Sequence, residues 1–222
     1  MYHFNFQPVL ENIDLLLHGA WLTVRLSLMA MVLGLIVSVA GAVAKTSGIR
    51  LLRWLVDIYV EVIRNTPFLI QIFFIFFGLP AVGISMSPNT AALVALVINV
   101  GAYGTEIIRA GIESIPQGQI EAGRALALSP LQILRHVVLK PALRNIYPAL
   151  TSQFIYLMLT SSVVSVISAN DLASAGADLN AKTFASFEVY LVLTVMYFLL
   201  AAGFSAVFAM IRRAVFSYPA SR

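Results

Sequence analysis

Between Asn65 and Thr105 the chain carries no charged side chain, and this run constrains the fold more than any other feature. A helix needs about 20 apolar residues to cross roughly 30 Å of hydrocarbon, so the run is too long for one crossing. Gly78-Leu79-Pro80-Ala81-Val82-Gly83 and Ser87-Pro88-Asn89 supply a turn inside it, since glycine and proline interrupt helices. Further charge-free stretches lie at 26–44, 145–170 and 189–211. Together they predict five transmembrane helices near 17–44, 55–77, 89–108, 145–168 and 189–211. The composition agrees: the 222 residues are 60% apolar and 11% charged, against about 45–50% and about 25% in soluble domains. The reading is an all-α integral membrane protein, one domain over 1–222.

The few charges then orient the spans. Glu11 and Asp14 precede the first, and Lys45, Arg50 and Arg53 follow it. The long connection 109–144 carries Arg109, Arg124, Arg135, Lys140 and Arg144 against Glu113 and Glu121, with Glu106 just before it. Asp171, Asp178 and Glu188 outnumber Lys182 in the next, and Arg212, Arg213 and Arg222 close the chain. Basic loops alternate with acidic ones, which places the N-terminus outside and the C-terminus in the cytoplasm. The net charge of +4 is thus a topology signal rather than a nucleic-acid surface. No cysteine is present, which excludes a disulfide framework and a thiol nucleophile. The acidic start is the wrong sign for a secretory signal peptide.

Ala30, Gly34, Ser38 and Ala42 recur every fourth residue in the first span. Small residues at that spacing let two helix backbones approach closely, and packing within the chain is the first expectation for them. The connection 109–144 is too long to be an idle linker. Residues 119–128 read as a short helix, and Ser129-Pro130 opens a second, with Ser129 as N-cap and Pro130 at the first position. Leu131, Leu134, Val138 and Leu139 give that helix an apolar stripe until Pro141 interrupts it. Small residues at Ala122, Gly123 and Ala125 suit a docking knob, with a re-entrant hairpin as the plainer reading.

Glu121-Ala122-Gly123-Arg124-Ala125-Leu126-Ala127-Leu128-Ser129-Pro130, followed by Val137-Val138-Leu139, resembles the EAA loop of ABC importer permeases. Arg64-Asn65-Thr66-Pro67 and Ala102-Tyr103-Gly104-Thr105-Glu106-Ile107-Ile108-Arg109 resemble two further segments of the polar amino acid branch of that family. The sequence departs from the pattern at Gly123, where alanine is usual, at Ala127, where glycine is usual, at Asn65, and at Pro141, one place late. The resemblance implies a type I ABC importer permease fold in a bacterial cytoplasmic (inner) membrane. It also implies a second permease subunit, identical or paralogous, a cytoplasmic ATPase dimer holding ATP and Mg, and an extracytoplasmic amino-acid-binding protein. No cofactor is expected in this chain. By the same resemblance Glu121, Ala122, Gly123, Ala127 and Pro130 contact the ATPase.

Polar residues inside spans are candidates for the pathway. Asp57, Glu61, Arg64 and Gln71 fall at i, i+4, i+7 and i+14, with Arg53–Asp57 and Glu61–Arg64 as expected ion pairs, structural or path-lining. Pro67 should kink the helix there and free a carbonyl beside the Thr66 hydroxyl. Asn99, Tyr103 and Glu106 share a face, as do Gln153, Tyr156 and Thr160, with Ser161 adjacent. Arg64 is the candidate partner for a substrate carboxylate and Glu106 for an ammonium. Members of the family that carry basic amino acids tend to have a carboxylate where Leu159-Thr160 stands, so a neutral polar or acidic amino acid is expected here. Gly41-Ala42-Val43-Ala44-Lys45-Thr46 fails the phosphate-loop pattern, which leaves ATP hydrolysis to a partner. Two rivals are a stand-alone channel or secondary transporter and an intramembrane serine hydrolase. His3, His18 and His136 are poorly placed to serve Ser161 as a base.

Overall fold

The computed structural model describes residues 4–216, so His3 and Arg222 lie outside the described residues. The helices are α1 Gln7–Glu11, α2 Ile13–Thr46, α3 Arg50–Arg64, α4 Phe68–Phe73, α5 Pro88–Glu113, α6 Gln117–Ala125, α7 Pro130–Gln132, α8 Leu139–Thr160, α9 Leu172–Thr183 and α10 Ser186–Val215. Among the described residues four stretches are long and apolar enough to cross a bilayer unaided: α2, α5, the rod Pro130–Ile167, and α10. Arg50–Arg64 and Phe68–Val82 meet at 108° and together have the length and apolarity of one more span, broken or re-entrant.

The expected second span at 55–77 is therefore not one kinked helix. Pro67 lacks an N–H and drives the residue before it out of the α region. Pro67 is extended, with φ −62° and ψ 138°, and starts α4 in a new direction. The chain then runs through a wide π turn, Phe74–Gly78, and a 3-10 turn, Leu79–Val82, to stop at Gly83, whose φ of 86° is left-handed. Glycine takes that conformation without a Cβ clash. Ser87 caps the next helix, its hydroxyl accepting from the Thr90 N–H at 3.3 Å, with Pro88 at the first helical position.

The core is the seam between α2 and α5. Ala30, Gly34, Ser38 and Ala42 are all buried along one side of α2. A Cβ on Gly34 would collide with Val100, one on Gly104 with Ser38, and one on Gly41 with Thr105. The small-residue series packs within the chain, and two hydroxyls cross the seam weakly, Ser38 Oγ donating to Val100 O at 3.3 Å and Thr105 Oγ1 to Ser38 O at 3.4 Å, beside their stronger bonds within each helix. Ser38 Oγ donates to Gly34 O at 2.7 Å and Thr105 Oγ1 to Gly101 O at 2.7 Å.

The connection at 109–144 is shorter than expected, because α5 reaches Glu113 and the next rod begins at Pro130. Ser129 caps that rod through a reciprocal box: the Gln132 N–H donates to Ser129 Oγ, and the Ser129 N–H to Gln132 Oε1 at 2.8 Å. Pro141 does not interrupt the helix. A π turn at Ile133–Val138 precedes it, and its wider coil makes room for the ring against the carbonyl four residues back. Of the expected stripe only Val138 is buried, while Leu131, Leu134 and Leu139 are exposed. Ile115, Ile133, Val138 and Ala142 form the small core beneath α6 instead.

The end of the molecule with Lys45, Arg53 and Arg212 is the basic end. The opposite, acidic end carries α9, which lies against α2 and α10. Asp171 caps α9, accepting from the Ser174 N–H at 2.8 Å, and is 1% exposed. Burial raises its carboxyl to about 6. Of the described α10 residues only Glu188, Val189 and Leu193 are buried, so most of that helix is left for lipid or another subunit.

Candidate functional site

The break between α3 and α4 is held by one side chain. Proline's missing N–H leaves Ile63 O without its helical partner. Gln71, 8% exposed, donates from Nε2 to Ile63 O at 2.7 Å, Thr66 O at 2.9 Å and Thr66 Oγ1 at 3.0 Å. Its Oε1 accepts from Asn99 Nδ2 at 3.1 Å, which ties the break to α5. Thr66 Oγ1 donates to Val62 O at 2.8 Å. The freed carbonyl and the Thr66 hydroxyl are thus engaged by Gln71, and Gln71 no longer shares a helix face with Arg64.

One turn toward the basic end, the Arg64 guanidinium lies 5.4 Å from the centre of the Tyr103 ring. The expected pairs Arg53–Asp57 and Glu61–Arg64 do not form among the described residues. Lys45 takes Asp57 at 2.6 Å and Glu106 at 2.5 Å. Arg109 holds Glu106 from the other side at 2.8 Å and also pairs with Glu113. Arg53 Nε donates to Lys45 O at 3.1 Å. Glu106 is therefore the hub of a clamp joining α2, α3 and α5, and in this arrangement both of its oxygens are occupied. Arg64, Glu106, Arg109 and Asn145 line a cavity of about 470 Å³ at the basic end. The roles of Lys45 and Asp57 are not legible in the sequence, because their partners lie on other helices and no spacing along one helix encodes them.

On α8 the structure separates the candidates. Ser161 Oγ donates to its own helix at Met158 O, 2.7 Å away, as membrane serines commonly do. Gln153 has its Nε2 buried with no partner among the described residues. Thr160 is half-buried. None of these three bonds to the Gln71–Asn99 group, although α8 packs along α5.

The α6 region is a compact knob. Glu121, Ala122, Ala127 and Pro130 are exposed, whereas Gly123 is buried. A Cβ on Gly123 would stand 3.2 Å from Ile133 Cγ1; the larger alanine of the family pattern would press on that contact. The Leu128 N–H donates to Gly123 O at 3.1 Å and the Ala127 N–H to Arg124 O at 2.9 Å. These two bonds make a Schellman end, which needs a left-handed residue at its corner. That residue is Ala127, with φ 53°. The position where the family pattern has glycine is the one where the backbone asks for it. Leu126 and Leu131 flank the knob at 75% and 72% exposure.

Chains of two solved ABC transporters share this architecture. A chain from a crystal structure of an amino acid ABC transporter with histidines superposes with a TM-score of 0.90 at 33% identity, covering 96% of this chain and 100% of that one. A chain of the inward-facing MetNI methionine ABC transporter matches with a TM-score of 0.72 at 26% identity, covering 91% and 97%. In sequence, the glutamine transport system permease protein GlnP of Escherichia coli is 33% identical over 212 residues, 95% of this chain and 97% of that protein. The L-cystine transport system permease protein TcyB of Bacillus subtilis is 36% identical over 178 residues, 80% and 74% of the two chains. The model of the binding-protein-dependent transport system inner membrane component matches residues 30–217. With a broken second span, a compact α6 knob and these relatives, the chain belongs to the family of binding-protein-dependent transport system inner membrane components.

Proposed function

We propose that the chain is the permease subunit of an ABC importer for a neutral polar or acidic amino acid, with its basic end in the cytoplasm. The observation that carries the reading is the α6 knob. It exposes Glu121, Ala122 and Ala127 on a backbone fixed by two capping bonds and seated on its own small core. Such a rigid, small-residue surface suits the groove of an ATPase subunit, which would carry ATP and Mg. A second permease copy or paralogue would complete the pore, and an extracytoplasmic binding protein would deliver the amino acid. Arg64, Thr66, Gln71, Asn99 and Tyr103 line the route. Arg64 is suited to the substrate carboxylate, and the Gln71 amide to exchange its carbonyl partners for polar substrate groups at little net cost. Gln153, with a donor still unused, and Thr160 complete the polar surface on α8, beside Ser161. Glu106 acts here as part of the clamp.

The test is ATP-dependent amino acid uptake into proteoliposomes holding the chain with its co-purified ATPase. Glu121→Ala should abolish coupling, so that uptake falls while the permease remains assembled in the membrane. Uptake that persists without ATPase, or is unaffected by Glu121→Ala, overturns the reading.

A further inference from the structure

Six cations at the basic end, Arg124, Arg135, Lys140, Arg144, Arg212 and Arg213, are in no ion pair among the described residues. Two of them belong to a single concavity. His136, Lys140 and Arg144, four residues apart, line a cavity of about 840 Å³ whose other walls include Asn145, Val215 and Phe216. No carboxylate lines it among the described residues. Glu113, the nearest acid in sequence to its rim at Ser114, is held by Arg109.

The cavity sits where α5 and α10 end against the side of the Pro130–Ile167 rod. Ser114 follows the last residue of α5, Lys140 to Asn145 lie in the first turns of α8, and Phe216 follows α10. The junction is fixed rather than loose. Tyr147 OH donates to Phe208 O at 2.7 Å, and its ring meets that of Phe216 edge-on at 5.3 Å. The Asn145 amide donates to Ser114 Oγ at 3.0 Å and joins the α5 side to the α8 side. The lining combines the cationic and polar groups with the apolar Pro141, Leu143 and Val215.

We infer that this cavity is a binding site for the phosphate headgroup of an anionic glycerophospholipid of the inner leaflet. Lys140 and Arg144 contact the phosphate, and the apolar lining residues receive the start of the acyl chains. A concave site with unpaired cations at helix ends selects an anionic headgroup over a zwitterionic one. Its place between the start of α6, the ends of α5 and α10 and the rod would let inner-leaflet composition stiffen the seat of the knob. The inference rests on the chain spanning a bilayer with its basic end at one surface, and not on what it transports.

The full-length chain, with whatever subunits it retains, is released in mild detergent and exposed to an equimolar mixture of phosphatidylglycerol and phosphatidylethanolamine. Bound lipid is then counted by mass spectrometry of the intact protein. The wild type should retain phosphatidylglycerol preferentially. Lys140→Gln with Arg144→Gln should lower that preference by about thirtyfold, the factor two cations contribute against an anionic surface. A charge-matched control, Arg50→Gln with Arg135→Gln, should keep it. Because the readout is a ratio of two lipids on the same protein, a loss of folded material does not imitate it. If the double variant cannot be purified, Lys140→Gln alone should lower the ratio about fivefold. Equal retention of the two lipids by the wild type, or an equal loss in the control, overturns the proposal. Equal retention of the two lipids, with inorganic phosphate bound by the wild type and lost in the double variant, overturns the lipid as occupant in favour of a free anion.

Discussion

Ala127→Gly should stabilise the α6 knob. Ala127 sits at φ 53°, where an L side chain crowds its own carbonyl, at a cost of about 1–2 kcal/mol that glycine avoids. Glycine also gains freedom in the opened state, which offsets about 0.4–1 kcal/mol. The Cβ makes little compensating contact, because Ala127 is exposed. The net gain is about 0.5–1 kcal/mol, a two- to fivefold reduction in the local opening constant. Global unfolding of a membrane protein reports this poorly, but amide hydrogen exchange reports it directly. The Ala127 and Leu128 N–H groups make the two capping bonds, so their exchange should slow by that factor while amides in α2 stay unchanged. Ala127→Val, with a β-branched side chain at the same φ, should accelerate the same two amides. If Ala127→Gly speeds their exchange, or both substitutions act alike, the left-handed corner is not what limits the stability of the knob.

Other substitutions test the remaining joints. Lys45→Met should lower the thermal midpoint, since Asp57 and Glu106 lose their shared cation; about 2–3 kcal/mol is expected, below the fully buried value because Asp57 is 41% exposed. Lys45→Met combined with Glu106→Gln should recover part of that loss. Gly111→Ala should destabilise by about 1–3 kcal/mol, read by chemical denaturation in detergent, because the added Cβ meets Ile146 Cγ2 inside van der Waals contact. Asp171, raised to about 6 by burial, holds its proton more tightly folded than unfolded, so the protein should lose stability as the acidic-end pH rises from about 4 through about 6. Asp171→Asn keeps an acceptor for the Ser174 N–H, should flatten that dependence, and should raise the thermal midpoint above pH 6.

Much of this fold is legible one helix at a time. Charge-free length locates the spans, and Ser129-Pro130 marks a helix start, because such a signal acts between residues three or four apart; Ser87-Pro88 reads as a turn, and the Ser87 cap appears only in the structure. What the sequence conceals is pairing between helices. Lys45 reads as an ordinary loop cation, yet it binds Asp57 on α3 and Glu106 on α5. Gln71 reads as a neighbour of Arg64 on one face, yet the turn at Pro67 sends it back onto the carbonyls that the proline exposed. Pro141 reads as a stop, but a π turn placed just before it absorbs the ring. In each case a local rule is obeyed and its consequence is redirected by a partner elsewhere in the chain.

The joints also divide the molecule into parts that can move separately. The clamp of Lys45, Asp57, Glu106 and Arg109 ties α2, α3 and the end of α5 into one body at the basic end. The knob α6 instead packs on Ile133 and Val138 of the Pro130–Ile167 rod, so a pull on α6 is delivered to the rod first. Between the two bodies lies the cavity of Arg64, Glu106 and Asn145, bridged at its edge by the Asn145–Ser114 bond. A displacement of the rod against the clamp must open or close that cavity, while the Gln71–Asn99 tie keeps the broken span attached to α5. Cutting that tie with Asn99→Leu should therefore loosen α4 and leave the clamp intact. Hydrogen exchange should rise across 65–73 and not across 45–57; an equal rise in both segments would mean that the Gln71–Asn99 tie and the clamp are one joint.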